Sequence, residues 1–255
     1  MPPARTRILT AIAAACLALA AQAAGVGLFS GAAGAASVPG ITYLATRTQF
    51  VTAGFGATSV LMPFTPGAVG DLVVVNVSTD VTIAGKPSSV SDSAGHIAWQ
   101  PRVLEAQTTP DPRFFTVWVG TVTATGATDI KVAWSGGNTG HKELTLTSWR
   151  SGHGASTSWS VVAKTSYAHD APLGVVTVPP LTATASATQF YWCDTIADGS
   201  SSKWTTNQGI FTFLTDPYSN TYAYRTTLTA GTAYSPTINY NNDIGIDAFI
   251  FQASG

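Results

Sequence analysis

The chain has 255 residues, 45% of them hydrophobic and only 10% charged, with a formal net charge of −1. A typical soluble domain carries about 25% charged residues. Here Thr, Ser, Ala and Gly fill the deficit, and the absence of any Lys/Arg run argues against nucleic acid as a partner; the aromatic and β-branched content argues against disorder.

Residues 1–37 read as a signal peptide. A basic start, MPPARTR, leads into an apolar run, ILTAIAAACLALA, and then into small residues. Ala21-Gln22-Ala23 and Ala35-Ala36-Ser37 both fit small-x-small cleavage, and cleavage before Val38 is preferred because patterned sequence begins near Ile41. The expected location is secreted or cell-surface, with no membrane span left after cleavage. The alternative keeps residues 8–29 as a membrane anchor, just long enough at about 20 residues. Cys16 falls in the apolar run, which leaves Cys193 without a disulfide partner. Its setting, QFYWCDTI, reads as a buried strand and its thiol as an inert core group.

After Val38 no window of twelve or more residues has a helical period. Short β-rich runs alternate with Gly, Pro, Asn, Asp and Ser clusters. The predicted strands are Ile41–Val51, Thr58–Phe64, Asp71–Ser78, Ala98–Ala106, Phe114–Ala124, Thr128–Trp134 and Lys142–Trp149. The list then restarts with Ser158–Tyr167, Leu173–Val178, Gln189–Ile196, Ile210–Leu214, Thr221–Ala230, Thr237–Tyr240 and Ile244–Phe251. Short strands at regular spacing with turn signals between them predict an antiparallel sandwich or barrel.

The restart is a repeat. Placing Trp118 on Tyr224 also places Thr121 on Thr227, Val122 on Leu228, Val132 on Ile238 and Trp134 on Tyr240. Further out, DSAGHIAW (92–99) resembles DGSSSKW (198–204), and GDLVVVNVSTD (70–80) resembles TQFYWCDTIAD (188–198). The reading is a duplicated β-unit of roughly a hundred residues. The fold class expected is all-β: an antiparallel jelly-roll-like or immunoglobulin-like β-sandwich built from two duplicated units, plus an N-terminal signal helix. The units are 38–152 and 153–255. The short link SGHGAST (151–157) favours one compact sandwich over two abutting domains.

The runs GDLVVVNVS, VSDSAG..W, TVWVGTVTATGATDIKVAWS and ELTLTSWRSG resemble β-sandwich modules of exported actinobacterial proteins and of phage tail or virion-surface proteins. The resemblance covers most of 58–150 and, more faintly, 173–255. It implies a fold and an exposed setting and carries no functional residue with it.

Chemistry-bearing residues are sparse. His96, His141, His153 and His169 show no HxH or HExxH spacing, and no G-x-S-x-G elbow occurs. Glu105 and Glu143 are the only glutamates and fall in predicted strands; a glycosidase would need such a pair facing each other about 5–10 Å apart. Asp194 sits beside a core-like strand and needs a partner if buried. Calcium is the one cofactor to weigh, through Asp92, Asp194, Asp198 and Asp243 in Asp/Asn-rich segments, though Asx turns explain such segments better. Trp149, Trp159 and Trp204 lie near strand ends or loops and are candidates for stacking on a sugar, while Trp99, Trp118, Trp134 and Trp192 follow strand alternation and read as core. Asn76-Val77-Ser78 matches a glycosylation sequon in mid-strand.

The function expected is that of an exported, non-enzymatic β-sandwich acting by surface binding, adhesion or assembly, with a cell-surface or cell-wall glycan or protein as partner and homo-oligomers through strand edges. The alternatives are a jelly-roll carbohydrate-active enzyme using the paired glutamates and a phage virion or tail structural protein.

Overall fold

The computed structural model describes residues 40–51, 58–80, 86–107, 113–135, 142–169, 174–197, 203–204, 210–215, 221–240 and 244–255. The expected signal peptide, its helix and the alternative anchor lie outside these residues, as do Asp198, Asp243 and His141. The described chain is all β apart from one 3-10 turn at Gly154–Ser156. The first half holds β1 (Ile41–Val51), β2 (Ser59–Phe64), β3 (Leu72–Asp80), β4 (Pro87–Asp92), β5 (Ile97–Trp99), β6 (Leu104–Gln107), β7 (Arg113–Val122), β8 (Thr128–Trp134) and β9 (Lys142–Ser151). The second holds β10 (Ser158–His169), β11 (Gly174–Thr177), β12 (Leu181–Thr182), β13 (Gln189–Ala197), β14 (Lys203–Trp204), β15 (Thr212–Thr215), β16 (Thr221–Arg225), β17 (Ala233–Tyr234), β18 (Thr237–Tyr240) and β19 (Ile244–Ser254).

The two halves have the same topology. In the first, a large sheet runs β1-β9-β3-β7-β5, with β6 also on β7, and a small sheet runs β2-β8-β4. In the second, the large sheet runs β10-β19-β13-β16-β15 and the small one β11-β18-β14, with β12-β17 added. Leaving aside the short β12–β17 pair, each half sets its first strand beside its last and its last beside its third (β3, β13), with the second, fourth and penultimate strands (β2, β4, β8; β11, β14, β18) across the sandwich. This is the jelly-roll order, except that β5 and β6 stay with the large sheet. Among the described residues no strand pair joins the halves. The single interleaved sandwich preferred from sequence is therefore replaced by two sandwiches. The reason is local: each half pairs its own first strand with its own last, closing its ladder before the chain moves on.

The two large sheets then pack face to face, giving four layers and three cores. Between the sheets of the first half lie Val60, Met62, Val73, Val75, Trp118, Ile130, Val132 and Leu146. Between those of the second lie Val176, Tyr191, Cys193, Ile238, Ala248 and Ile250. The middle core joins Leu72, Val74, Val117, Val119 and Trp149 of the first half to Trp159, Phe190, Trp192, Tyr222, Phe249 and Phe251 of the second. A sheet buried on both faces needs unbroken apolar strands, and LVVVNV on β3 and FYWC on β13 supply them. The small sheets face water on one side and alternate, as β2 (SVLMPF) and β8 (TDIKVAW) show.

The sequence reading missed β4, a Ser-rich strand in which Val90 is the one large apolar residue, and the two-residue strands β12, β14 and β17. It also ran β5 and β6 together across Pro101, where the chain leaves the ladder. A β-bulge marks the duplication more sharply than any identity. In β1 the register against β9 shifts between Tyr43 and Ala45; in β10 the register against β19 shifts between Val161 and Ala163. Trp149 and Phe251, the residues across from Tyr43 and Val161, also pair with equivalent residues of β3 and β13, Leu72 and Phe190. The two bulges therefore occupy the same site in each copy, on an edge strand that a bulge protects.

The repeat alignment needs one correction. Val132 and Ile238 do occupy matching places, each inward on its small sheet. Trp118, however, faces the outer core of the first half, whereas Tyr224 packs into the middle core against Tyr43 and Trp149. Val117 is the true counterpart of Tyr222, because these pair with Asn76 and Asp194 in matching registers. A slip of one residue exchanges the faces of a strand, and the connection from β16 to β18 carries the extra residue.

Two glycines let the halves close. Gly70 has φ of +90°, and a Cβ there would lie 2.0 Å from the Gly154 carbonyl oxygen in the link. Gly245 on β19 sits under the Phe115 ring of the opposing sheet, whose Cζ lies 1.9 Å from where a Cβ would be. Gly245→Ala should destabilise the protein by about 1–3 kcal/mol through overpacking. A double-mutant cycle with Phe115→Ala, read by urea unfolding, should show the two costs to be strongly non-additive.

Candidate functional site

Two of the three tryptophans expected to stack on sugar, Trp149 and Trp159, are structural. Trp149 is fully buried; it stacks on Phe190 at 4.2 Å between centroids and meets Trp192 edge-on at 5.5 Å, with its indole N–H donating to Thr147 (3.3 Å). Trp159, also buried, donates its indole N–H to the Gly70 carbonyl at 2.9 Å, from one half to the other. Neither offers a face to a ligand. Both sit near strand ends, as read, but those ends lie under the opposing sheet. Trp204 lies on β14 with its side chain outside the described residues.

Of the metal candidates, Asp92 is committed to a turn. Its carboxylate accepts from the His96 and Ile97 amides, from the Trp99 indole N–H and from the Thr128 hydroxyl. That is the Asx-turn role rather than a calcium cage. Asp194 lies on strand β13, in the middle core, and not on a loop. Among the described residues no group of three His, Cys, Asp or Glu side chains gathers to hold a metal ion.

The glutamates do not share a groove. Glu105 on β6 pairs with Thr116, which pairs with Val77, a residue of the first half's outer core. Directly opposed residues of antiparallel strands share a face, so Glu105 points to the outer side. There it pairs with Arg102 and with Lys86 (2.8 Å). Glu143 on β9 pairs with Ser78 and belongs to the other face, buried toward the second half. The sheet itself separates the two carboxylates, so they cannot flank one glycosidic bond.

The polar group that sequence reasoning located only in part lies between the large sheets. Asp194 and Asp247 are directly paired on β13 and β19, each 1% exposed. Asn76 of β3 crosses the interface and donates its amide to Asp194 Oδ2 at 2.9 Å. The Tyr222 hydroxyl shares hydrogen bonds with Thr48 (3.1 Å) and Thr145 (3.3 Å) of the opposite sheet. Among the described residues no donor comes within full hydrogen-bond distance of either Asp247 oxygen; burial pushes its carboxyl up to about 8, and the nearby Asn76 amide, committed to Asp194, opposes this only in part. The sequon at Asn76 thus marks a buried side chain, closed to glycosylation. The signal that would have found this cluster was a polar residue at the centre of each unbroken apolar run: Asn76 in LVVVNV, Asp194 after FYWC and Asp247 before AFIF. Behind β13, burial raises the Cys193 thiol and the Tyr191 phenol well above their ordinary values, consistent with an inert thiol.

An open cleft of about 230 Å³ lies at the rim of the first half. Arg47 of β1, Pro63 and Phe64 at the end of β2, Ser93 after β4, and Thr128 with Asp129 at the start of β8 line it. Arg47 places a guanidinium there, with a long bond to the Pro63 carbonyl at 3.4 Å. The cleft combines a cation, a carboxylate and hydroxyls with the exposed Pro63, while Phe64 is buried in the outer core.

Compared with known proteins, the chain matches no family model and no curated sequence. If the tryptophans serve packing, Trp149→Ala should cost about 3–5 kcal/mol in urea unfolding. Tyr222→Phe, which removes only the hydroxyl, should cost about 1 kcal/mol and leave the fold intact.

Proposed function

We propose that the protein is an exported, non-catalytic adhesion or binding module that meets a cell-surface or cell-wall glycan or protein through the rim of its first jelly roll. The observation that carries this reading is the cleft around Arg47 and Asp129. A guanidinium and a carboxylate can form paired hydrogen bonds with vicinal hydroxyls, and the exposed Pro63 beside them suits the apolar face of a sugar ring; a few convergent polar groups in a concave site is the usual form of a small-ligand site. Its volume is below the roughly 300–1,000 Å³ of drug-sized pockets, which suits one terminal sugar. The packing supports the same division of labour. Trp149, Trp159, Trp192, Asp194 and Glu143 are spent between sheets, and the small-sheet faces left to water carry mainly Ser and Thr with Leu61, Lys131 and Val175. Association of copies belongs to the proposal as well, because β5 with β6 and β15 end their sheets in regular register, without the bulges of β1 and β10.

The protein beginning at Val38 should bind a subset of a glycan array or isolated cell walls, with and without Ca²⁺. Arg47→Ala and Asp129→Ala should each weaken binding at least about tenfold, the loss of roughly one charge-assisted contact, with the melting temperature unchanged. No binding to any glycan or wall, or binding that survives both substitutions, would remove this reading.

A further inference from the structure

The carboxyls of Asp194 and Asp247 share one row and one face, which sets their Cβ atoms roughly 5 Å apart. That face is the middle core, closed to water. Two ionised carboxylates cannot coexist there cheaply, and such pairs keep a proton. Their surroundings are defined. From β3 comes Asn76, donating to Asp194. From β9 come Thr145 and, two residues along the same face, Glu143; from β1 comes Thr48; from β7 comes Phe115; and from β16 comes Tyr222. On β10, Ser166 pairs with Asp247, and Lys164 beyond it turns its ammonium to the Val103 carbonyl of the first half. Cys193 lies on the far face of β13.

We propose that the joint between the two jelly rolls is closed by one proton held on the Asp194–Asp247 pair, so that the interface tightens in acid and loosens as that proton is lost. Each jelly roll keeps an outer core of its own, so opening this joint is a sub-global event that leaves both sandwiches formed. The sign follows from linkage. The unfolded or separated Asp247 ionises near its ordinary value of about 3.9, whereas in the closed protein it holds its proton to about 8. Between those values closing must take up a proton, so the interface weakens as pH rises through the window and changes no further above it.

Isotope-edited infrared spectroscopy of the protein carrying ¹³C-labelled aspartate should show one protonated aspartic acid at neutral pH that titrates near pH 8 and is missing from Asp247→Asn. Hydrogen exchange, corrected for intrinsic rates, should show protection of β3, β9, β13 and β19 falling by up to about tenfold per pH unit between pH 4 and 8. The small-sheet strands β2, β8, β11 and β18 should fall less, and Asp247→Asn should flatten the slope. An absent protonated band at pH 6, or an equal slope in Asp247→Asn, overturns the proposal. So does protection at pH 8 that rises with added Ca²⁺ and falls with a chelator, which would assign the pair to a cation instead. Should Asp247→Asn fail to fold, the wild-type infrared titration decides alone.

Discussion

Face-to-face packing of two large sheets is the constraint from which the rest of this protein follows. It removes water from both sides of β3, β7, β9, β13 and β19: β3 and β13 meet this with near-continuous apolar runs, while β9 buries Glu143, Thr145 and Thr147 beside Trp149. It also takes four of the largest fully buried aromatic side chains, Trp149, Trp192, Tyr222 and Phe190. The first half contributes mainly Val and Leu to the shared core, and the second contributes Trp, Tyr and Phe. A largely aliphatic wall is filled by rings, and Gly245 is the gap that admits the Phe115 ring coming the other way.

Apolar contact is non-directional. Two flat sheets with related patterns could slide or rotate against each other at little cost. The polar groups inside the interface restrict that choice. Asn76 meets Asp194, Tyr222 meets Thr48 and Thr145, and at the margins the Trp159 indole meets the Gly70 carbonyl while the Gln100 amide meets the Trp159 carbonyl. Each leaves a buried donor or acceptor unmet if the register changes. The Asp194–Asp247 pair is the costly member of the set, since it places two carboxyl groups side by side in a core closed to water.

Much of this was legible in the sequence. Unbroken apolar runs beside alternating ones separate strands buried on two faces from those buried on one, and the restart at Ser158 gives the duplication. What stayed hidden depended on contacts across space. The tryptophans at 149 and 159 looked available because strand ends usually are; only the second sandwich covers them. Glu105 and Glu143 looked like a pair because faces cannot be assigned without register. Asp247 was passed over because its partner Asp194 is distant in the chain and adjacent only through the ladder between β13 and β19. Similarity between the copies also misled where it was strongest, since aligning Trp118 with Tyr224 matched residue types while exchanging the sides of the strand.

The link between the halves is six residues long, Gly152 to Thr157, and its 3-10 turn rests on Gly70. So short a tether holds the second sandwich at a millimolar-scale local concentration over the first. The middle core is in effect a dimer interface made permanent by the link. Such an interface can tolerate a costly element, an acid pair among aromatics, that two separate subunits at cellular dilution would be driven apart by. A nick in this tether would return the molecule to the regime in which dilution, and not only sequence, decides whether the two sandwiches meet.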